Sequence, residues 1–115
     1  MKIVYLAGPY RATTEYGVHR NIQRAEALAL EVWRLGAACL CPHKNTAYFG
    51  GALPDAVWLE GYLELLRRCD ALLVMPGSAA SVGTAAETKE ANARGIPVFW
   101  SLADLSEWLR GQSEP

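Results

Sequence analysis

The chain has 115 residues, 51% hydrophobic and 20% charged, with 11 basic against 12 acidic side chains and a formal net charge of -1. That length suits one compact domain, and that composition excludes a disordered chain. The near-neutral balance excludes the broad attraction that polymeric nucleic acid or an anionic membrane surface requires.

"MKIVYLAGPY" carries an apolar run that Gly8 and Pro9 stop at once, too short for a membrane span or a secretory leader. Lys2 to Ala7 reads as an interior parallel strand. In "RNIQRAEALALEVWRLG", Ile22, Ala25, Leu28, Ala29, Val32 and Leu35 share one helical face, with Asn21 as N-cap and Gly36 as the residue past the end. "AACLC" is a second strand, ended by Pro42, and 43–54 is expected to form a long loop. Asp55 is placed to cap a helix running to about Arg68, with Val57, Trp58, Tyr62, Leu65 and Leu66 available for burial.

"DALLVM" is the third strand. A glycine-rich turn then leads to a helix over about 83–94, ended by Gly95, and "IPVFW" is the fourth strand. "DLSEWLR" closes the pattern as a short helix in which Asp104 and Glu107 have capping-box spacing. "GQSEP" reads as a loose tail. Trp33, Trp58 and Trp108 are expected to pack helices.

Strands alternating with helices predict an α/β fold: a small doubly wound three-layer sandwich with a mainly parallel sheet of about four strands. By analogy the strand order is 2-1-3-4, with residues 1–115 forming one domain. In open sheets of this kind ligands bind beyond the carboxyl ends of the strands. Three loops meet there: "GPYR" with Gly8, Pro9, Tyr10 and Arg11; "PHKNTAYF" with His43, Asn45 and Thr46; and "PGSAASVGT" with Gly77, Ser78, Ser81, Gly83 and Thr84. Asp70 lies at the opposite end of its strand, where a local capping role is expected.

The Gly/Ser-rich turn before a helix suits an anion, because free N–H groups and the helix dipole both favour negative charge. Its spacing matches neither the dinucleotide nor the triphosphate glycine motif, so an ordinary connection remains the alternative. Glu87, one turn into that helix, has two readings as well. It is a residue complementing the dipole, or a carboxylate able to attack an anomeric carbon. The dipole favours an ionised nucleophile over a proton donor. Arg11, Arg20 and Lys44 are candidate phosphate contacts or solvated surface. Cys39, Cys41 and Cys69 lack metal-ligand and secretory spacing, which predicts reduced thiols, no metal and a cytoplasmic protein.

Taken together, "YLAGPY", "NIQRAEALALEVWRLG", "CPHKNTAYF", "CDALLVMPG", "SVGTAAETKEA" and "GIPVF" occur in an order that resembles the nucleoside 2-deoxyribosyltransferase-like superfamily, in particular its small bacterial and phage branch. The resemblance implies cleavage or exchange of the N-glycosidic bond of a nucleoside or nucleotide. It also implies Glu87 as nucleophile, Tyr10 in the first substrate loop, no metal or cofactor, and a homodimer or higher homo-oligomer whose neighbour completes the pocket. A more distant likeness is to nucleotide phosphoribohydrolases with "PGG-x-GT-x-x-E" loops, of which Gly83, Thr84 and Glu87 are kept.

Two positions depart from the superfamily. Tyr62 stands where an acidic residue is often found, with Glu60 and Glu64 on other helical faces, which leaves the general-acid role vacant or displaced. Ser81 stands near an aspartate that contacts the sugar 5′-hydroxyl in sugar-transferring members, whereas a serine there contacts phosphate in monophosphate hydrolases. The resulting expectation is hydrolysis of a nucleoside 5′-monophosphate through Glu87. The alternatives are a nucleoside 2-deoxyribosyltransferase and a non-catalytic nucleotide-binding or signalling domain.

Overall fold

A computed structural model describes residues 1–78 and 81–112; Ala79, Ala80 and 113–115, which include part of the glycine-rich turn and the end of the expected tail, lie outside the described residues. Strands β1 (Ile3–Ala7), β2 (Ala38–Leu40), β3 (Ala71–Val74) and β4 (Val98–Phe99) form one sheet in the order β2-β1-β3-β4, every pair parallel. Helices α1 (Glu15–Arg34), α2 (Pro42–Asn45), α3 (Asp55–Leu66), α4 (Val82–Ala93) and α5 (Leu102–Gln112) connect and cover them. The expected α/β sandwich and strand order are both present.

Period-two alternation along β1 divides the core between two faces. Val4 and Leu6 pack with Ala25, Ala29 and Val32 of α1 and Leu105 of α5. Tyr5 and Ala7 pack on the other side with Leu66 of α3, Leu72, Val74 and Ala91 of α4. Each fully buried aliphatic side chain in these layers contributes about 1.5–3 kcal/mol. Since Tyr5 and Glu87 both belong to the α3/α4 side, the sheet's alternation decides which residues can meet the helix that carries the carboxylate.

Several local expectations need correction. Helix α1 begins two turns before Asn21, because the Thr14 hydroxyl accepts the Gly17 N–H at 2.9 Å and caps it. Asn21 is buried within the helix instead, where its amide donates to the Tyr10 and Arg11 carbonyls at 3.1 and 3.3 Å. The stretch after β2 is not all loop: Pro42 sits at the first position of the short α2, where its missing N–H costs nothing. Asp55 does not cap α3 through its side chain but is the first helical residue and pairs with Arg11.

Leu66 is the buried residue of α3, while Val57 and Leu65 remain 44% and 39% exposed. Trp33 is exposed as well, whereas Trp108 packs on Phe99 with ring centroids 5.4 Å apart. Helix α5 starts earlier than expected, with the Ser101 hydroxyl accepting the Asp104 N–H at 3.1 Å, and runs to Gln112. Asp70 ties down the start of β1, its carboxylate accepting the Ile3 N–H at 2.8 Å. No helix among the described residues is long and apolar enough to cross a membrane.

Candidate active site

The carboxyl ends of β1 and β3 are brought close by a glycine. A Cβ on Gly8 would lie 2.2 Å from the Met75 sulfur, so only a bare backbone lets the first loop pass the end of β3. The loop is then held from two sides. Asn21 binds the Tyr10 and Arg11 carbonyls, and His43 Nε2 lies 2.9 Å from the Pro9 carbonyl. A carbonyl only accepts, so Nε2 carries the proton. Burial lowers the His43 pKa and keeps the ring neutral. This histidine therefore shapes the loop, its Nδ1 being buried without a partner among the described residues.

Tyr10 lies partly exposed beside His43, ring centroids 6.0 Å apart, and its hydroxyl accepts the Tyr48 N–H at 3.3 Å. Arg11 and Lys44 are exposed and engaged by Asp55 and Glu26 respectively. Arg24, which the sequence pattern did not single out, reaches from α1 toward the third loop. Its guanidinium donates to the Pro76 carbonyl at 3.4 Å and stands 3.9 Å from where a Gly77 Cβ would be. Gly77 itself has φ +81°, a left-handed conformation that glycine adopts without strain.

Beyond that turn, Ser81 is the N-cap of α4, its hydroxyl accepting the Thr84 N–H at 3.2 Å. Gly83 lies exposed in the first turn of the helix. Ser78 and Thr84 are buried, and their hydroxyls have no hydrogen-bond partner among the described residues. Buried hydroxyls are ordinarily paired, which marks this corner as unusual.

Glu87 follows one turn later and is only 9% exposed. Its carboxylate accepts a hydrogen bond from the hydroxyl of Tyr5, a residue with no exposed surface at the middle of β1. Burial raises the Glu87 pKa from 4.5 to about 7, and the Tyr5 hydrogen bond opposes that rise. The helix dipole favours the ionised form, and the rise comes instead from desolvation by burial. Burial and the adjoining carboxylate push Tyr5 far upward, so it remains a donor. Sequence reading missed Tyr5 because an aromatic in an apolar strand reads as core; the signal available was that a buried tyrosine hydroxyl requires a partner.

Tyr62 completes the surroundings from α3. Its ring meets Tyr5 edge-on, centroids 6.4 Å apart, and fixes the ring that carries the donor. The Tyr62 hydroxyl is occupied by Asn45 Nδ2 at 3.1 Å and Thr46 Oγ1 at 2.9 Å, which ties α3 to the second loop. Glu60 is exposed, and Glu64 pairs with Arg67 and Arg68. Among the described residues there is no cluster of three or more His, Cys, Asp or Glu suited to a metal ion.

The arrangement is a buried carboxylate with a tunable charge, held by a donor that favours its ionised form. It stands near Ser78 and Thr84, whose hydroxyls have no hydrogen-bond partner among the described residues. Comparison with solved structures finds a 2-deoxyribosyltransferase from the psychrotolerant bacterium Bacillus psychrosaccharolyticus with the same fold. The TM-score is 0.64 at 20% sequence identity, covering 84% of this chain and 69% of that one. No curated protein matches the sequence. The model of one family, described as a domain of unknown function, DUF7768, matches residues 2–101. The chain thus has a deoxyribosyltransferase-like fold and belongs to the DUF7768 family.

Proposed function

We propose that the protein breaks the N-glycosidic bond of a 2-deoxynucleoside through Glu87 and passes the sugar to a second base. The observation that carries this reading is the buried Glu87 carboxylate held by the Tyr5 hydroxyl at the carboxyl edge of the sheet. A carboxylate oxygen attacks C1′, and the bond to the base breaks with its electron pair going to the base nitrogen, which takes a proton from water or Tyr10. The resulting glycosyl ester is attacked by a nitrogen of the incoming base, which sheds its proton as the carboxylate is restored. Exchange requires that water be kept from C1′, and a nucleophile with so little exposed surface favours it over hydrolysis. The fold shared with a 2-deoxyribosyltransferase supports the same choice.

Hydrolysis of a nucleoside 5′-monophosphate is a second reading, supported by the unpaired Ser78 hydroxyl, by Ser81 in place of an acid, and by Arg24 beside Gly77. Under either reading the substrate is a nucleoside or nucleotide, with Gly8, Pro9, Tyr10 and Asn45 shaping the first two walls. The exposed Phe49, Leu53, Val57, Leu59 and Leu65 support a homo-oligomer in which a second copy covers α3. The test is incubation with a 2-deoxynucleoside and a different free base. Formation of the exchanged nucleoside, abolished by Glu87→Ala, is expected; release of free sugar or sugar phosphate alone would select hydrolysis, and unchanged turnover in the variant would remove Glu87 from the chemistry.

A further inference from the structure

The Tyr62 hydroxyl has one proton and two lone pairs, and it meets three groups: Asn45 Nδ2 at 3.1 Å, Thr46 Oγ1 at 2.9 Å and the Pro42 carbonyl at 3.4 Å. The Asn45 amide donates, and the Tyr62 proton goes to Thr46 or to the carbonyl, so none is left to hand to a departing base. Tyr62 therefore leaves the general-acid role unfilled. All three partners lie on the segment after β2, from the first residue of α2 to the residue that ends it.

The ring of the same side chain meets Tyr5 edge-on, with 78° between the planes and centroids 6.4 Å apart. The Tyr5 hydroxyl in turn donates to the Glu87 carboxylate. Tyr5 and Tyr62 share one packed layer with Leu66, Cys69 and Ala91, and close-packed interiors transmit a displacement from one ring to the next. The ionisable groups acting on Tyr5 are Glu87, Tyr62 and Cys69, and burial pushes the Cys69 thiol up to about 11, which keeps it neutral. Glu90, one turn along α4, is held by Arg67 and Arg94. On the loop side, burial keeps His43 neutral and Lys44 pairs with Glu26. Glu87 is thus the group whose change of charge can reach Tyr62 near neutral pH.

We infer that Tyr62 is a positioning residue that couples the second loop to the Glu87 carboxyl, its hydroxyl holding Asn45 and Thr46 while its ring holds the Tyr5 donor. Such coupling is reciprocal. The loop arrangement that a bound base selects alters the charge on Glu87, and the charge on Glu87 alters the hold on the loop. What this means for turnover rests on Glu87 as the nucleophile, whereas the readouts below need no turnover.

The test is a pH titration by NMR of the Asn45 side-chain amide and the Glu87 carboxyl carbon. In the wild type the Asn45 resonance is expected to titrate with the Glu87 midpoint. That dependence should vanish in Tyr62→Phe, although Glu87 still titrates there, and it should vanish in Glu87→Gln. Tyr62→Leu removes the ring as well and should raise the Glu87 midpoint by about half a pH unit or more, because the donor that lowers it is less firmly held. An Asn45 resonance that stays flat in the wild type while Glu87 titrates would overturn the coupling. So would one that still titrates in Tyr62→Phe or Glu87→Gln, or a Glu87 midpoint unmoved in folded Tyr62→Leu. Where Tyr62→Leu does not fold, the other three proteins decide. A coupled protein that forms no exchanged nucleoside would count against the proposed chemistry alone.

Discussion

Replacing Glu87 by glutamine should stabilise the protein, and only above a defined pH. In the folded chain burial raises the carboxyl pKa from 4.5 to about 7. Between those values the native state holds a proton that the unfolded chain has released, so stability falls as pH rises through that window. Below about pH 4.5 both states are protonated and the penalty vanishes; above pH 7 it is complete. The difference corresponds to about 3 kcal/mol. Glutamine keeps the size of the side chain, still accepts from Tyr5 and carries no charge. Urea unfolding of the two proteins should therefore coincide near pH 4 and diverge by about 3 kcal/mol at pH 8, a midpoint difference of roughly 1–3 M. A difference that does not change with pH, or a wild type more stable than the variant at pH 8, would refute the reasoning.

The Tyr5 hydroxyl lowers the Glu87 pKa, so on the proposed chemistry Tyr5→Phe should move the acid limb of the pH–rate profile to higher pH and slow turnover at pH 7 by about tenfold or more; an unmoved limb would separate Tyr5 from the proposed role of Glu87. Gly8→Ala should lower the melting temperature through a cost of about 1–3 kcal/mol, because the new Cβ meets the Met75 sulfur at 2.2 Å. Shortening the obstructing side chain with Met75→Ala should restore part of that loss. Ser81→Ala removes the acceptor for the Thr84 N–H and should cost about 1 kcal/mol in thermal or urea unfolding, whereas Ser81→Asp should retain the cap.

The fold was legible wherever periodicity decides the outcome. The two faces of β1, the buried stripe of α1 from Ile22 to Val32 and the four apolar runs each follow from spacing, and the strand order followed from analogy. Caps were less legible because side chains that can cap can also tie loops. Asn21 has the right chemistry for an N-cap but spends its amide on the Tyr10 and Arg11 carbonyls, while Thr14 takes the cap. Helix α3 carried an apolar pattern that a single chain does not bury, as Val57 and Leu65 show.

At the site, the position of Glu87 could be read from the turn before it, but its charge state could not. The raised pKa arises from packing against β1, and no local pattern encodes that contact across 82 residues of sequence. Tyr5 and Arg24 were missed for the same reason. Their roles lie in what the sheet and α1 bring near them, not in their sequence neighbours.

The most direct measurement is the mass of the intact protein after brief exposure to a 2-deoxynucleoside without an acceptor base, followed by peptide mapping. The account predicts a fraction of the protein heavier by one deoxyribosyl group, attached at Glu87 and discharged when a free base is added. Base exchange proceeding with the protein unmodified, or with the sugar attached to another residue, would contradict it.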